Sequence, residues 1–103
     1  MIVYGENVKI QIPALLYFYN EKYIFNERNF KLIEEFNSNL EEKFNLYYID
    51  IESYDNLVKT YNIKYYPTII IFNSKAKEIY RFTGEFKNNL DLYIKRKNGK
   101  QRS

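Results

Sequence analysis

The stretch Tyr61-Asn62-Ile63-Lys64-Tyr65-Tyr66-Pro67-Thr68-Ile69-Ile70-Ile71-Phe72 decides the fold of this 103-residue chain. Its last five residues follow Pro67 and form a nearly continuous apolar run, which predicts a short strand. Continuous apolarity is typical of a strand that is buried on both faces of its sheet. Such a sheet must be covered by helices on both sides, so the stretch predicts an α/β protein.

Apolar patterning on either side of this strand predicts the remaining elements. Strands are predicted at residues 13–19, 46–51 and 78–82, helices at 27–44, at 54–61 and from Asn88 or Asn89 onward, and a candidate edge strand at 2–4. Ser53 or Asp55, and Asn88 or Asn89, are the expected N-caps of the last two helices. A strand–helix–strand unit implies parallel pairing through a right-handed crossover, and the closing hairpin adds antiparallel pairing. The predicted fold is therefore a mixed central sheet of four or five strands with helices on both faces.

The composition removes most kinds of catalysis. The chain has no Cys and no His, although it has 12 Tyr and 8 Phe. Disulfides, thiol nucleophiles and thiolate metal ligands are excluded, and the usual general base near neutral pH is missing. Four carboxylates near the predicted strand ends match no catalytic pair and no metal motif; they are Glu21, Asp50, Glu52 and Asp55. We therefore expect no catalytic residue, no metal site and no cofactor.

The charge is divided unevenly along the chain. Residues 1–94 contain 11 basic and 13 acidic side chains, whereas the end of the chain is basic throughout, with Lys95, Arg96, Lys97, Lys100 and Arg102. We expect one domain at 1–94, with 1–12 as a reduced N-terminal strand and connection, and a basic C-terminal tail at 95–103. Such a tail can bind nucleic acid or an acidic surface. Alternatively, it is only the charged end of a helix whose dipole favours cations.

Two further expectations concern location. No apolar run approaches the length of a membrane-spanning helix, so we expect no membrane contact. The N-terminus lacks a basic segment followed by an apolar one, which favours a cytoplasmic protein.

The stretch that decides the fold also resembles a known family. An aromatic residue, an Ile, and a Pro-Thr that opens an apolar strand ending in Phe are similar to a segment of the thioredoxins. The upstream strand Leu15-Leu16-Tyr17-Phe18-Tyr19, the central Tyr48-Ile49-Asp50 and Gly84 extend this resemblance to about residues 13–94. The resemblance implies a three-layer thioredoxin-like fold. It also implies a cis peptide bond before Pro67, in a loop that offers backbone groups to an extended substrate.

The same resemblance shows what this chain has lost. Placing Phe18-Tyr19 on the family's Phe-Trp puts the Cys-Gly-Pro-Cys motif on Tyr23-Ile24-Phe25-Asn26, so this is a variant without the two cysteines. The family's buried Asp aligns with Tyr17, and its Lys partner aligns with Leu46. We expect Asn26 to remain as a helix cap, with Tyr23 or Phe25 covering the end of the core.

These residues lead to an expected function that is not enzymatic. We expect a redox-inactive protein-binding or scaffolding module whose groove holds an extended segment of an unidentified partner protein. The groove is expected to consist of Tyr23, Phe25, Tyr66, Pro67, Thr68 and Gly84. Aromatic rings supply large contact areas at low entropic cost, although the same rings can instead serve only to cover the core. Nucleic-acid or acidic-surface binding by the basic tail is the alternative, and an exposed sheet edge would favour a homodimer.

Overall fold

The computed structural model describes residues 2–5, 8–84 and 86–101. Along these residues the order of elements is β1 (Ile2–Val3), β2 (Ala14–Tyr19), α1 (Asn26–Ser38), β3 (Asn45–Asp50), α2 (Asp55–Thr60), β4 (Thr68–Phe72), β5 (Glu78–Thr83) and α3 (Phe86–Gln101). β4 has its predicted bounds, β2 and β5 differ from prediction by one residue at one end, and β3 is shifted by one residue at both ends. The α/β class and the order of the elements are confirmed.

The five strands form one mixed sheet in the order β1-β3-β2-β4-β5. β3 pairs in parallel with β1 and β2, while β4 pairs antiparallel with β2 and β5. The short β1 is an edge strand, so the predicted N-terminal edge strand is present at Ile2–Val3. β2 lies at the centre, and its residues Ala14 to Phe18 are all fully buried.

The alternation of side chains along β2 divides the core into two layers. Leu15 and Tyr17 face α1 and α3, where they pack with Ile33 of α1 and Leu90 of α3. Leu16 and the strand residues two positions before and after it face the other side, where α2 contributes Leu57. Because both sheet faces are covered, the structure has the three layers that the apolar strands require.

Helix α1 ends six residues before the predicted end at residue 44. The Asn37 side chain explains the early end, because its Nδ2 donates to the Phe44 carbonyl at 3.0 Å and its Oδ1 accepts from the Phe44 N–H at 2.8 Å. The chain therefore folds back at 39–44, and Phe44 packs on the core from outside the helix. The run Asn37-Ser38-Asn39 is a local indication of this early end, because Asn and Ser side chains compete with the helix for the hydrogen bonds of the backbone.

The expected N-caps were wrong. α1 and α2 begin after Phe25 and Tyr54, neither of which makes a capping side-chain hydrogen bond. α3 begins at Phe86, so Asn89 lies within its first turn, where the Asn89 Nδ2 donates to the Gly84 carbonyl at 3.3 Å. Gly84 has φ of +68°, a conformation that glycine adopts without strain, and this turn lets the helix begin early.

The C-terminal segment is helical for most of its length. α3 continues to Gln101, and the Arg96 guanidinium lies 5.6 Å from the centroid of the Tyr80 ring. Arg102 and Ser103 of the expected tail, and Glu6 and Asn7 of the N-terminal connection, lie outside the described residues. In the described part of the chain, no helix is both long and apolar enough to cross a bilayer.

Candidate functional site

Three chain segments leave the sheet at the same end. β2 and β4 pair with Phe18 opposite Thr68, so the turn after β2 and the loop before β4 emerge side by side. β4 and β5 pair with Thr68 opposite Thr83, which brings Gly84 to this end as well. We call residues 20–25 the turn and residues 65–67 the Pro67 loop. The topology thus brings together the segments that hold all the predicted groove residues.

Thr68 fixes the Pro67 loop. The Thr68 side chain is buried, and its hydroxyl donates to the Tyr65 carbonyl. The Thr68 and Thr83 hydroxyl oxygens lie 2.9 Å apart, so Thr83 donates this second bond. Pro67 is buried behind a cis Tyr66–Pro67 bond, and the Tyr66 ring is 52% exposed. The Thr68 hydroxyl therefore anchors the loop backbone from the buried side, while both tyrosine rings of the loop remain in solvent, with Tyr65 70% exposed.

The turn presents two more rings to solvent. Tyr23 is 38% exposed and Phe25 is 44% exposed, and their ring centroids are 5.6 Å apart in an edge-to-face pair. The Tyr23 N–H donates to the Asn20 carbonyl at 2.9 Å, and the Asn26 N–H donates to the Tyr23 carbonyl at 3.3 Å. The sequence left open whether these rings cover the end of the core or line a groove, and a large part of each ring stays accessible. We call Tyr23, Phe25 and Tyr66 the aromatic triplet.

A buried network of polar side chains supports the turn. The Tyr17 hydroxyl donates to Asn26 Oδ1 at 2.9 Å, and Asn29 Nδ2 donates to the Tyr17 hydroxyl at 3.1 Å. Asn26 Nδ2 completes the network by donating to the Asn20 carbonyl at 2.7 Å. Asn26 thus anchors the turn from below instead of capping α1. We call these four residues the Tyr17 network.

Burial changes the acidity of the tyrosines in this layer. Loss of solvation raises the pKa of Tyr17 to about 12, and the hydrogen bond from Asn29 opposes the shift. Burial also raises the pKa of Tyr48, whose buried hydroxyl has no hydrogen-bond partner among residues 2–5, 8–84 and 86–101. Both hydroxyls are therefore protonated at neutral pH, and neither can act as a general base there.

A cleft of about 380 Å³ opens beside the turn. Its lining is formed by the turn, the first half of α1 and the start of α3; the residues are Tyr23, Phe25, Arg28, Asn29, Leu32, Gly84, Phe86, Lys87 and Asn88. A Cβ built on Gly84 would meet no atom within 4 Å, so the space above this residue is open. We call this space the cationic cleft, because Arg28 and Lys87 are its charged residues.

The structure brings only part of the predicted groove into this cleft. Tyr23, Phe25 and Gly84 line it, whereas Thr68 lines a second cleft with Tyr65. Neither of these clefts is lined by Tyr66 or Pro67. Sequence reasoning missed Arg28 and Lys87, because nothing in the sequence shows that the first half of α1 faces the start of α3 across the turn.

Comparison with known proteins gives the class of this domain. Its mixed sheet, its two helical layers and its Pro67 loop beside a turn are those of a thioredoxin-type α/β domain. The sequence model of the Thioredoxin family matches residues 7–96. The chain belongs to the thioredoxin family.

Solved thioredoxin structures resemble this chain in fold. The germline-specific thioredoxin Deadhead of Drosophila melanogaster superposes with a TM-score of 0.69 at 16% identity, covering 81% of this chain and 78% of that one. Fasciola hepatica thioredoxin gives a TM-score of 0.68 at 18% identity over 81% and 78% of the two chains. Thioredoxin 1 of Thermosipho africanus gives 0.63 at 23% identity over 82% and 98%. No curated protein matches the chain in sequence.

Membership of the family and the composition of the chain together limit its chemistry. A dithiol–disulfide exchange needs a thiolate that attacks a disulfide sulfur. This chain contains no cysteine anywhere in its sequence. It therefore has the thioredoxin fold without the group that carries thioredoxin chemistry.

Proposed function

We propose that this protein is a redox-inactive thioredoxin-like binding module, which holds an extended segment of a partner protein against the aromatic triplet. The observation that carries the proposal is the exposure of Tyr23, Phe25 and Tyr66 at one end of the sheet, while the residues beneath them are buried and hydrogen-bonded. Rigid support under accessible rings is the arrangement that a preorganised binding surface needs.

Packing requirements alone do not account for the three rings. The core residues Phe18 and Tyr17 are fully buried, whereas each member of the aromatic triplet leaves more than a third of its surface in solvent. Partly exposed aromatic residues are common anchors of protein interfaces, because a large ring can be buried at a low cost in side-chain entropy. The Pro67 loop adds backbone groups that an extended segment can pair with.

The Tyr17 network supports a binding role over a damaged redox site. A turn that had only lost its cysteines would have no need of buried side chains that hold it in place. Here Asn26 and Asn29 are both buried and both hydrogen-bonded to Tyr17. A turn held in this way can present Tyr23 and Phe25 in one fixed arrangement.

A crosslinking pull-down from native extract tests the proposal. The bait is compared with a Phe25→Ala/Tyr66→Ala variant and with the control Ile79→Ala/Leu92→Ala. The control truncates two aliphatic side chains outside the site that are exposed to a similar fraction, 40% and 42%. We expect a partner that wild type and control retain and that the triplet variant loses. The proposal would be contradicted if the Phe25→Ala/Tyr66→Ala variant retained every partner while a variant without residues 95–103 lost them. That result would favour binding through the basic segment.

A further inference from the structure

We propose that the segment bound at this site is acidic, and that its carboxylates occupy the cationic cleft beside the aromatic triplet. This inference rests on the proposed function and specifies the chemistry of the partner. It is carried by the lining of the cleft, which combines Arg28 and Lys87 with the rings of Tyr23 and Phe25. None of the nine described lining residues is acidic, and Glu85, which lies between two of them in the sequence, is outside the described residues.

Arg28 is available to a ligand. Its guanidinium lies 5.7 Å from the centroid of the Phe25 ring and forms no ion pair with a carboxylate among residues 2–5, 8–84 and 86–101. A cation over a ring face is attracted by the ring, which limits the movement of the Arg28 side chain, and the guanidinium keeps its N–H donors in a fixed planar fork. A planar carboxylate fits such a fork by two parallel hydrogen bonds.

Lys87 is nearly as available as Arg28. Its ammonium pairs with Asp91 at 3.3 Å, one helical turn further along α3, and both side chains are well exposed. Exposed ion pairs of this spacing contribute little, because water and salt screen them and two flexible side chains must be fixed. A carboxylate held in the cleft can therefore share or replace Asp91 without a large loss.

The positive charge of the cleft is local. Residues 1–94 contain more acidic than basic side chains, so the cleft does not simply reflect a basic protein. The second cleft is lined by Lys64 and Arg81, but Glu78 lines it as well, and Arg81 donates to both Glu78 oxygens, at 2.9 and 2.7 Å. A carboxylate therefore balances one of its two cations, whereas the described lining of the cleft beside the turn holds two cations and no carboxylate. Of these two clefts, the one beside the turn is the better match for an acidic ligand.

Three decapeptide pools test the inference by fluorescence polarisation. All three share one apolar and β-branched frame, and their variable positions carry Asp and Glu, Asn and Gln, or Lys and Arg. We expect the acidic pool to bind wild type roughly five- to tenfold more tightly than the amide pool, since two charge pairs contribute. The preference should shrink as salt is raised.

Charge-neutral variants identify the residues responsible. Arg28→Gln/Lys87→Gln should reduce the affinity for the acidic pool to that for the amide pool, and leave the amide pool unchanged. Lys59→Gln/Lys75→Gln is the matched control: it removes two exposed charges outside the cleft, one of them from a similar helical ion pair, between Lys59 and Asp55 at 3.1 Å. This control should retain the preference.

The outcomes separate the inference from the proposed function. Equal binding of all three pools, with loss in Phe25→Ala/Tyr66→Ala, would overturn the acidic preference and leave the binding module intact. Failure of every pool to bind wild type would contradict both. Oligothymidylate is tested as a competitor of the acidic pool. If it binds more tightly than the pool, displaces it and depends on Arg28 and Lys87, the inference is overturned in favour of a nucleic-acid ligand.

Discussion

The Tyr17 hydroxyl donates a hydrogen bond of 2.9 Å to the side-chain oxygen of Asn26. In the alignment that gives the family resemblance, these two residues occupy the positions of the buried Asp and of the second Cys. An acidic side chain and a thiol of the family's redox site are thus replaced by two neutral side chains that bind each other. Both residues are buried, so the bond lies where an unpaired group would be costly.

The Tyr17–Asn26 bond should be measurable as a coupling between the two residues. Tyr17→Phe leaves Asn26 Oδ1 and Asn29 Nδ2 without this partner, so we expect unfolding in urea to require about 1–3 kcal/mol less free energy. The Tyr17→Phe/Asn26→Ala double-mutant cycle should give a coupling of about 0.5–1.5 kcal/mol. A coupling indistinguishable from zero would show that the bond does not hold the turn.

Tyr48→Phe is the matched change and should have the opposite effect. It removes a buried hydroxyl that has no hydrogen-bond partner in the part of the chain that the structure describes, in the same core layer as Tyr17. Because no bond is lost and a desolvated polar group disappears, we expect stability to stay equal or rise by about 1 kcal/mol. A fall as large as that of Tyr17→Phe in the same urea titration would mean that the Tyr48 hydroxyl is bonded in solution.

Stability should depend on alkaline pH in a defined direction. Burial raises the pKa of Tyr17 to about 12, and raises that of Tyr48 as well, above the ordinary value of 10.0. The unfolded chain therefore ionises first. The free energy of unfolding should keep its full value below about pH 10. It should decrease as the pH rises toward 12, by about 1.4 kcal/mol per pH unit for each such tyrosine. Unfolding curves of Tyr17→Phe should show a shallower decrease, and a decrease as steep as that of wild type would contradict this assignment.

Restoring the cysteines should restore little redox activity. In the Tyr23→Cys/Asn26→Cys variant the two thiols return, but Tyr17 and Leu46 still stand where the family has its Asp and Lys, and the Tyr17–Asn26 bond is lost. We expect insulin reduction well below that of an ordinary thioredoxin assayed in parallel, and none from wild type. Activity equal to that of the ordinary thioredoxin would show that Tyr17 and Leu46 do not limit the chemistry.

The sequence predicted the sheet well because strand burial is encoded locally. Ile69 to Phe72 form an unbroken apolar run directly after Pro67 and Thr68, and β4 has its predicted bounds. The ends of the helices were harder to predict, because they depend on contacts between distant residues. Asn37 ends α1 by bonding Phe44, and Gly84 allows α3 to begin before the asparagines that were expected to cap it.

The candidate site was predictable as a set of segments but not as a surface. The motif at Pro67 and the aligned turn predicted that Tyr23, Phe25 and Tyr66 belong to one groove, and the strand pairing shows that their segments leave the same end of the sheet. The role of Asn26 was misjudged, because its partner Tyr17 lies nine residues away on a different element. Arg28 and Lys87 could not be found from the sequence, because each is an ordinary exposed helical residue until α1 and α3 are placed together.

The central claim is that the end of the sheet holding the aromatic triplet is the binding surface. Its most direct test is backbone-amide NMR of the isotopically labelled protein, titrated with a peptide selected from a displayed library on the wild type. The account predicts that the largest shift changes fall on the turn, the Pro67 loop and Thr83-Gly84, and that Phe25→Ala/Tyr66→Ala removes them. Changes centred on residues 95–101 or on β5 away from Thr83, and equally strong in that variant, would contradict it.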